Sequence, residues 1–313
     1  IINNINTTIM EKKIFLFASI LGILALSSCS NEETTTSEEP VCKLPISHQS
    51  VSDLTLKLKE YDSQFPQRKR PLFEKSGKKA KLTFLDWLKV GIADVSGALS
   101  GAANGGGAGA AVGAVVASIN KYVEILDAKN QEKEKKDLQL EPTIVSNSTT
   151  PTFLDSLGYY HNISEEMLYD KYGNNIKSTS TRTLVRDTHA YLKKISTGYY
   201  SKKPNFQQLD LISRAMFRIK NVRDSSSDSF FDYCNNLKRS SLRDSSYIDF
   251  SAEYLYTCVC SNVDDIRSYT LEVLRQIDSS NAESDDKNIL TQCVLIAYSS
   301  LLYSAQMECV DIE

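Results

Sequence analysis

The chain has 313 residues, 41% of them hydrophobic and 24% charged, with a formal net charge of -3 and a sequence pI near 5.8. These values exclude a disordered chain, a collagen-like chain and a strongly basic nucleic-acid binder, so nucleic acid is not an expected partner. The length allows one or two domains, and the cysteines are too few to build a small disulfide scaffold, so a hydrophobic core has to do the folding. Glycine is scarce, with 13 in the chain, yet eight of them lie between Gly91 and Gly113.

In chain order, the export pattern starts at Met10. Lys12 and Lys13 form a positive n-region, and Ile14 to Leu26 is an apolar stretch of signal-peptide length, shorter than a permanent spanning helix. It ends in Leu26-Ser27-Ser28-Cys29, which resembles the lipobox of bacterial lipoproteins. The resemblance implies cleavage before Cys29 and a diacylglycerol on its thiol, so residues 1–28 are read as upstream residues and signal peptide. Ser30-Asn31-Glu32-Glu33 resembles the acidic signal that sends some Bacteroidota lipoproteins to the cell surface. That implies a lipid anchor in the outer membrane with the protein facing outward, a periplasm-facing anchor being the alternative. The Thr, Ser, Glu and Pro residues that follow cannot bury a core, and 29–50 reads as a flexible tether.

Residues 51–141 form the next region. Val51 to Leu58 fits a short helix or a strand equally well, and Arg68 to Lys81 is a basic run that suits a solvated loop or an anionic lipid surface. Then Ala93, Gly97, Gly101, Gly105, Gly109, Gly113 and Ala117 place a small residue at every fourth position. This spacing sets them along one helix face and opens a groove for close approach of another helix backbone. Glycine in a helix costs about 0.5–1 kcal/mol relative to alanine, so the face needs a packing partner. No charge occurs from Val95 to Ile119, and Trp87, Lys89, Lys121 and Tyr122 flank the stretch like interfacial anchors. Asn104-Gly105-Gly106-Gly107 interrupts it, which favours a hairpin with its glycine faces together; a second copy or a bilayer neighbour are the other expected partners, and a disordered glycine-rich linker is the remaining reading. The stretch resembles glycine-zipper membrane proteins and the GxxxG-bearing core of small bacteriocins, which implies helix association in a bilayer. Asp127 to Glu141 reads as a charged helix, and Pro142 and Pro151 as a domain boundary.

From 152 to 313 the periodicity is helical, with apolar stripes such as Leu184, Val185, Thr188, Tyr191 and Leu192, and about seven helices. The predicted fold class is all-α. Ser180 or Thr181, Ser164 and Asp285 are the expected caps or leading residues of three helices.

Chemistry is sparse. His161 and Glu165, four apart, can meet on one helix face as two metal ligands, but a site needs three or four, and His189 is the one further imidazole. With Asn162 they make a candidate polar site without an assigned metal, cofactor or catalytic role. No nucleophile elbow, P-loop, dinucleotide fingerprint or His-Glu-x-x-His motif occurs. Cys42, Cys234, Cys258, Cys260, Cys293 and Cys309 read as small core residues with at most one bridge. Gly158-Tyr159-Tyr160-His161-Asn162 and Ala297-Tyr298-Ser299-Ser300 resemble segments of an uncharacterised Bacteroidota lipoprotein family, which implies no particular activity. The sequence therefore predicts a non-enzymatic, lipid-anchored envelope protein that binds or scaffolds; the alternative is a bacteriocin-like, membrane-perturbing protein.

Overall fold

The structure, a computed structural model, describes residues 49–69, 82–129, 156–196, 198–199, 203–222, 229–240, 245–263 and 265–308. The signal, Cys29, the tether with His48 and Cys42, most of the basic run, the charged segment after residue 129 and Cys309 lie outside the described residues. Within them the protein is all-α, with nine α-helices and no strand beyond an isolated bridge between Gln67 and Ser261. The helices are α1 Val51–Asp62, α2 Phe84–Ala128, α3 Leu157–Tyr172, α4 Thr181–Ile195, α5 Phe206–Lys220, α6 Phe230–Ser240, α7 Ser246–Cys260, α8 Ile266–Ser279 and α9 Ser284–Glu308; a 3-10 turn at Gly173–Ser178 follows α3.

The ambiguous Val51–Leu58 stretch is helical because Ser50 and Asp53 close a capping box, each side chain bonding the other's backbone N–H. Arg68, read as part of a solvated basic run, instead donates from its guanidinium to the carbonyls of Ser261 and Val263 at 2.6 and 3.0 Å and clasps the end of α7. Ser180 caps α4 as expected. Ser164 does not cap a helix: α3 begins seven residues earlier, at Leu157, and buries Ser164 in its interior.

The glycine-rich segment is a hairpin. Gly105 and Gly106 leave the helical region, and Gly106 has φ 60°, a conformation that side-chain-bearing residues rarely adopt. Asn104 donates to the Ser100 carbonyl at 2.7 Å, satisfying a group that the end of the first half would otherwise strand. The two halves then run antiparallel with Gly97 against Gly113 and Gly101 against Gly109. A Cβ on Gly97 would stand 2.5 Å from the Ala117 Cβ and 2.8 Å from the Gly113 carbonyl carbon; one on Gly101 would stand 2.7 Å from the Gly109 carbonyl carbon. Gly105 departs from the expected packing series. It belongs to the turn, and its nearest neighbours are Pro204 and Ile212, because a hairpin has to spend one position of the series on reversal.

The reversal also brings the two ends of the stretch together. Trp87 stacks on Tyr122 with centroids 5.6 Å apart, and Asp86 pairs with Lys129. Lys89 and Lys121, which resemble interfacial anchors in the sequence, are buried beside the Tyr233 ring, Lys121 at 4.2 Å from its centroid.

Among the described residues, those of 51–141 and those of 152–313 share one hydrophobic core. Proline punctuation at 142 and 151 interrupts helical periodicity, but it does not stop the cores on either side from merging. The hairpin sits at the centre, against α3, α4, α5, α6, α7 and α9. By length and composition two helices, Phe84–Ala128 and Ser284–Met307, could cross a membrane, and both are compatible with membrane association. In this fold 67% and 72% of their most apolar stretches are buried in the molecule.

A buried polar centre between the hairpin, α3 and α9

Hydrophobic burial accounts for most of the interior, but one polar layer crosses it. Asp94 comes from the first half of α2, His161, Asn162 and Glu165 from α3, Ser118 from the second half of α2, and Ser299 and Ser300 from α9; all are buried. Gly158 is what lets α3 sit close enough. The site where its Cβ would be is already taken by the Ser299 side chain.

Helical spacing places His161 and Glu165 on one face, as their sequence positions predict, with Nε2 and Oε1 3.4 Å apart. The third group is Asp94, whose Oδ2 lies 3.7 Å from the same nitrogen. One donor atom from each of the three residues lies within 4.8 Å of the other two. Asp94 is thus a third group able to serve as a ligand beside the two that the sequence pairs. The signal for it was present: Asp94 is an acid set in Val90-Gly91-Ile92-Ala93 and Val95, a helix otherwise apolar, where ionisable residues are rare without a partner. His189 does not join the group. It is half-buried and bonded through Nδ1 to the Tyr199 hydroxyl at 2.7 Å, while neighbouring Asp187 pairs with Lys171 and Tyr172.

Asn162 orients the imidazole. Its amide nitrogen donates to the Ser299 carbonyl at 3.1 Å, so its Oδ1 faces His161 Nδ1 at 2.8 Å and accepts from it. Nδ1 therefore carries the proton, and Nε2 points at the two carboxylates. Nε2 has no hydrogen bond. Neither Asp94 oxygen closes one of normal geometry, although the Ser118 and Ser300 hydroxyls lie alongside and favour its ionised form.

Burial raises the Asp94 pKa above the carboxylate range, and Glu165 adds to it; His161, Ser300 and Ser118 oppose the shift without cancelling it. For His161 burial acts to lower the pKa, but Glu165, Asp94 and the Asn162 hydrogen bond outweigh it and leave the value raised. Chemically, this arrangement can hold a positive charge between two carboxylates, either a proton on Nε2 or a cation bound by it.

The centre is closed. His161 is 1% exposed and Asp94 0%, and the shallow depressions along α3 and α5 are lined by other residues, such as Ile163, Met167 and Tyr191 or Phe206, Leu211 and Arg214. Cys234, Cys258, Cys260 and Cys293 are buried and unbridged. Burial pushes the Cys260 thiol up to about 11 and raises the Cys234 and Cys258 pKa values further, so they behave as core residues and not as nucleophiles.

No protein family matches the chain, and comparison with curated proteins and with solved structures finds no match.

Proposed function

We propose that this chain is a lipid-anchored protein of the cell envelope, held through Cys29 and a tether in the outer membrane and facing outward, whose helical unit has a non-enzymatic binding or scaffolding role. The observation that carries this reading is the use of the glycine face. Gly97, Gly101, Gly109 and Gly113 are consumed by contacts inside the hairpin, so the segment most like a bilayer helix serves as the centre of the protein's own helical bundle. Closure of the polar centre agrees with a role other than catalysis, since substrate has no approach to His161. A binding role draws support from the outer face of α5. There Phe206, Leu211 and Phe217 stay exposed among Arg182, Arg214 and Arg218, with Asp210 already paired to Arg182 and Arg214, a face suited to an anionic partner surface.

The membrane-perturbing alternative requires the hairpin to leave its six neighbouring helices and expose its glycines. Metabolic labelling with a palmitate analogue tests the anchor: label and membrane retention are expected in the parent and lost in Cys29→Ala. Protease shaving of intact cells should remove the protein. Leakage of anionic liposomes by the protein from Cys29 onward would overturn the binding reading in favour of perturbation.

A further inference from the structure

The buried Asp94–His161–Glu165 cluster is too widely spaced for its atoms to bond one another well, yet too close for two carboxylates and an imidazole to be indifferent. Nε2 to Oε1 is 3.4 Å and Nε2 to Oδ2 is 3.7 Å. Bonds of about 2.0–2.1 Å in a tetrahedral site set neighbouring ligand atoms about 3.3–3.4 Å apart. We propose that Asp94 Oδ2, His161 Nε2 and Glu165 Oε1 are three ligands of a structural Zn2+-class ion that ties the first half of the hairpin to α3.

Four independent features support this. The ligand atom of His161 and both Asp94 oxygens are buried and without a hydrogen bond of normal geometry, and a bound ion would satisfy Nε2 and Oδ2 together. The second ring nitrogen is already fixed by Asn162, itself fixed by the Ser299 carbonyl; metal-ligating histidines are commonly oriented in this way. Two carboxylates balance a dication, which removes the cost of burying both charges. The donor set selects the metal. Calcium takes six to eight oxygen ligands and magnesium keeps several waters, whereas one imidazole with two carboxylates in a closed site suits zinc and its neighbours.

This inference does not depend on lipidation, and it is tested on the purified protein from Cys29 onward, refolded with chelator or with Zn2+. Metal analysis is expected to give one zinc per chain. Cobalt in its place should give the intense visible absorption of a tetrahedral site. Asp94→Asn, an isosteric change whose helical circular dichroism controls for folding, and His161→Gln should each lose the stoichiometric metal. Asn162→Ala should weaken affinity about 10–100-fold, while His189→Gln should leave it unchanged. A refolded parent protein that takes up no metal overturns the proposal, as does metal retained by Asp94→Asn. If His161→Gln fails to fold, the Asp94→Asn metal ratio and the cobalt spectrum of the parent decide. A His161 imidazole shown by nitrogen NMR to be protonated on both nitrogens in zinc-treated protein would mean that a proton holds the site, and would also overturn it.

Discussion

Two buried aspartates sit in this molecule under opposite circumstances. Asp62, at the end of α1, accepts from the Thr257 hydroxyl and the Tyr269 hydroxyl, each at 2.8 Å, within a corner where Tyr61, Tyr269 and Tyr254 stack in series. Asp94, at the centre, has neither oxygen so satisfied and faces an imidazole and a second carboxylate. The difference teaches what each is for. A buried acid that closes its hydrogen bonds is a strut between helices, here joining α1 to α7 and α8; a buried acid that faces an imidazole and a second carboxylate instead is set up to share a positive charge.

The comparison can be broken most severely by pushing apart the hairpin that carries Asp94. Gly113→Ala gains helix propensity but drives its methyl into the Gly97 backbone, and about 3 kcal/mol of stability or more should be lost in urea unfolding. Asp62 should sharpen it through pH. Burial raises its pKa from 3.8 to about 6 against the opposing hydrogen bonds of Tyr269 and Thr257. The folded chain then keeps a proton that the unfolded chain releases near 4, so stability falls as pH rises from about 4 to about 6, by at most about 3 kcal/mol. Unfolding curves across that window should show this slope in the parent and lack it in Asp62→Asn. At pH 5, Asp62→Ala strands two buried hydroxyls and should cost about 2 kcal/mol. Asp94→Ala in metal-free protein removes a carboxylate beside Glu165, which offsets the loss of its contacts with the Ser118 and Ser300 hydroxyls, so its cost should stay within about 1 kcal/mol. The smallest effect belongs to Gly91→Ala, where the added methyl meets the flexible Leu255 side chain at 3.3 Å and the Ser300 hydroxyl at an ordinary 3.8 Å; a change within about 0.5 kcal/mol is expected by thermal melting.

Much of the bundle was legible because helices announce themselves locally. The stripe Leu184, Val185, Thr188 and Leu192 and the cap Ser180 depend only on neighbours within a few turns. So does the pairing of His161 with Glu165. The need for close packing of the glycine face was legible for the same reason: the four-residue glycine spacing and its interruption at Asn104 to Gly107 are local facts, but they leave the chain's other half, a second copy and a bilayer neighbour all open as the partner. Asp94 was not, since its partners lie 67 and 71 residues further along the chain, and no local periodicity links it to them. Nor was the merging of the regions on either side of Pro142 and Pro151, because proline reports where a helix stops and not what packs against it.

The sequence by itself therefore determined the helices, the glycine face and the need for a close partner to that face. These follow from backbone propensity and the 3.6-residue period. Only the tertiary structure decided that the partner is the chain's own other half, that Gly105 is spent on the turn, and that the reversal buries Lys89 and Lys121. It also decided that an acid from the hairpin meets the imidazole of α3. Such outcomes depend on which faces compete successfully for burial once all helices are present, and on the close approach that Gly158 permits against Ser299, neither of which is written in any single segment.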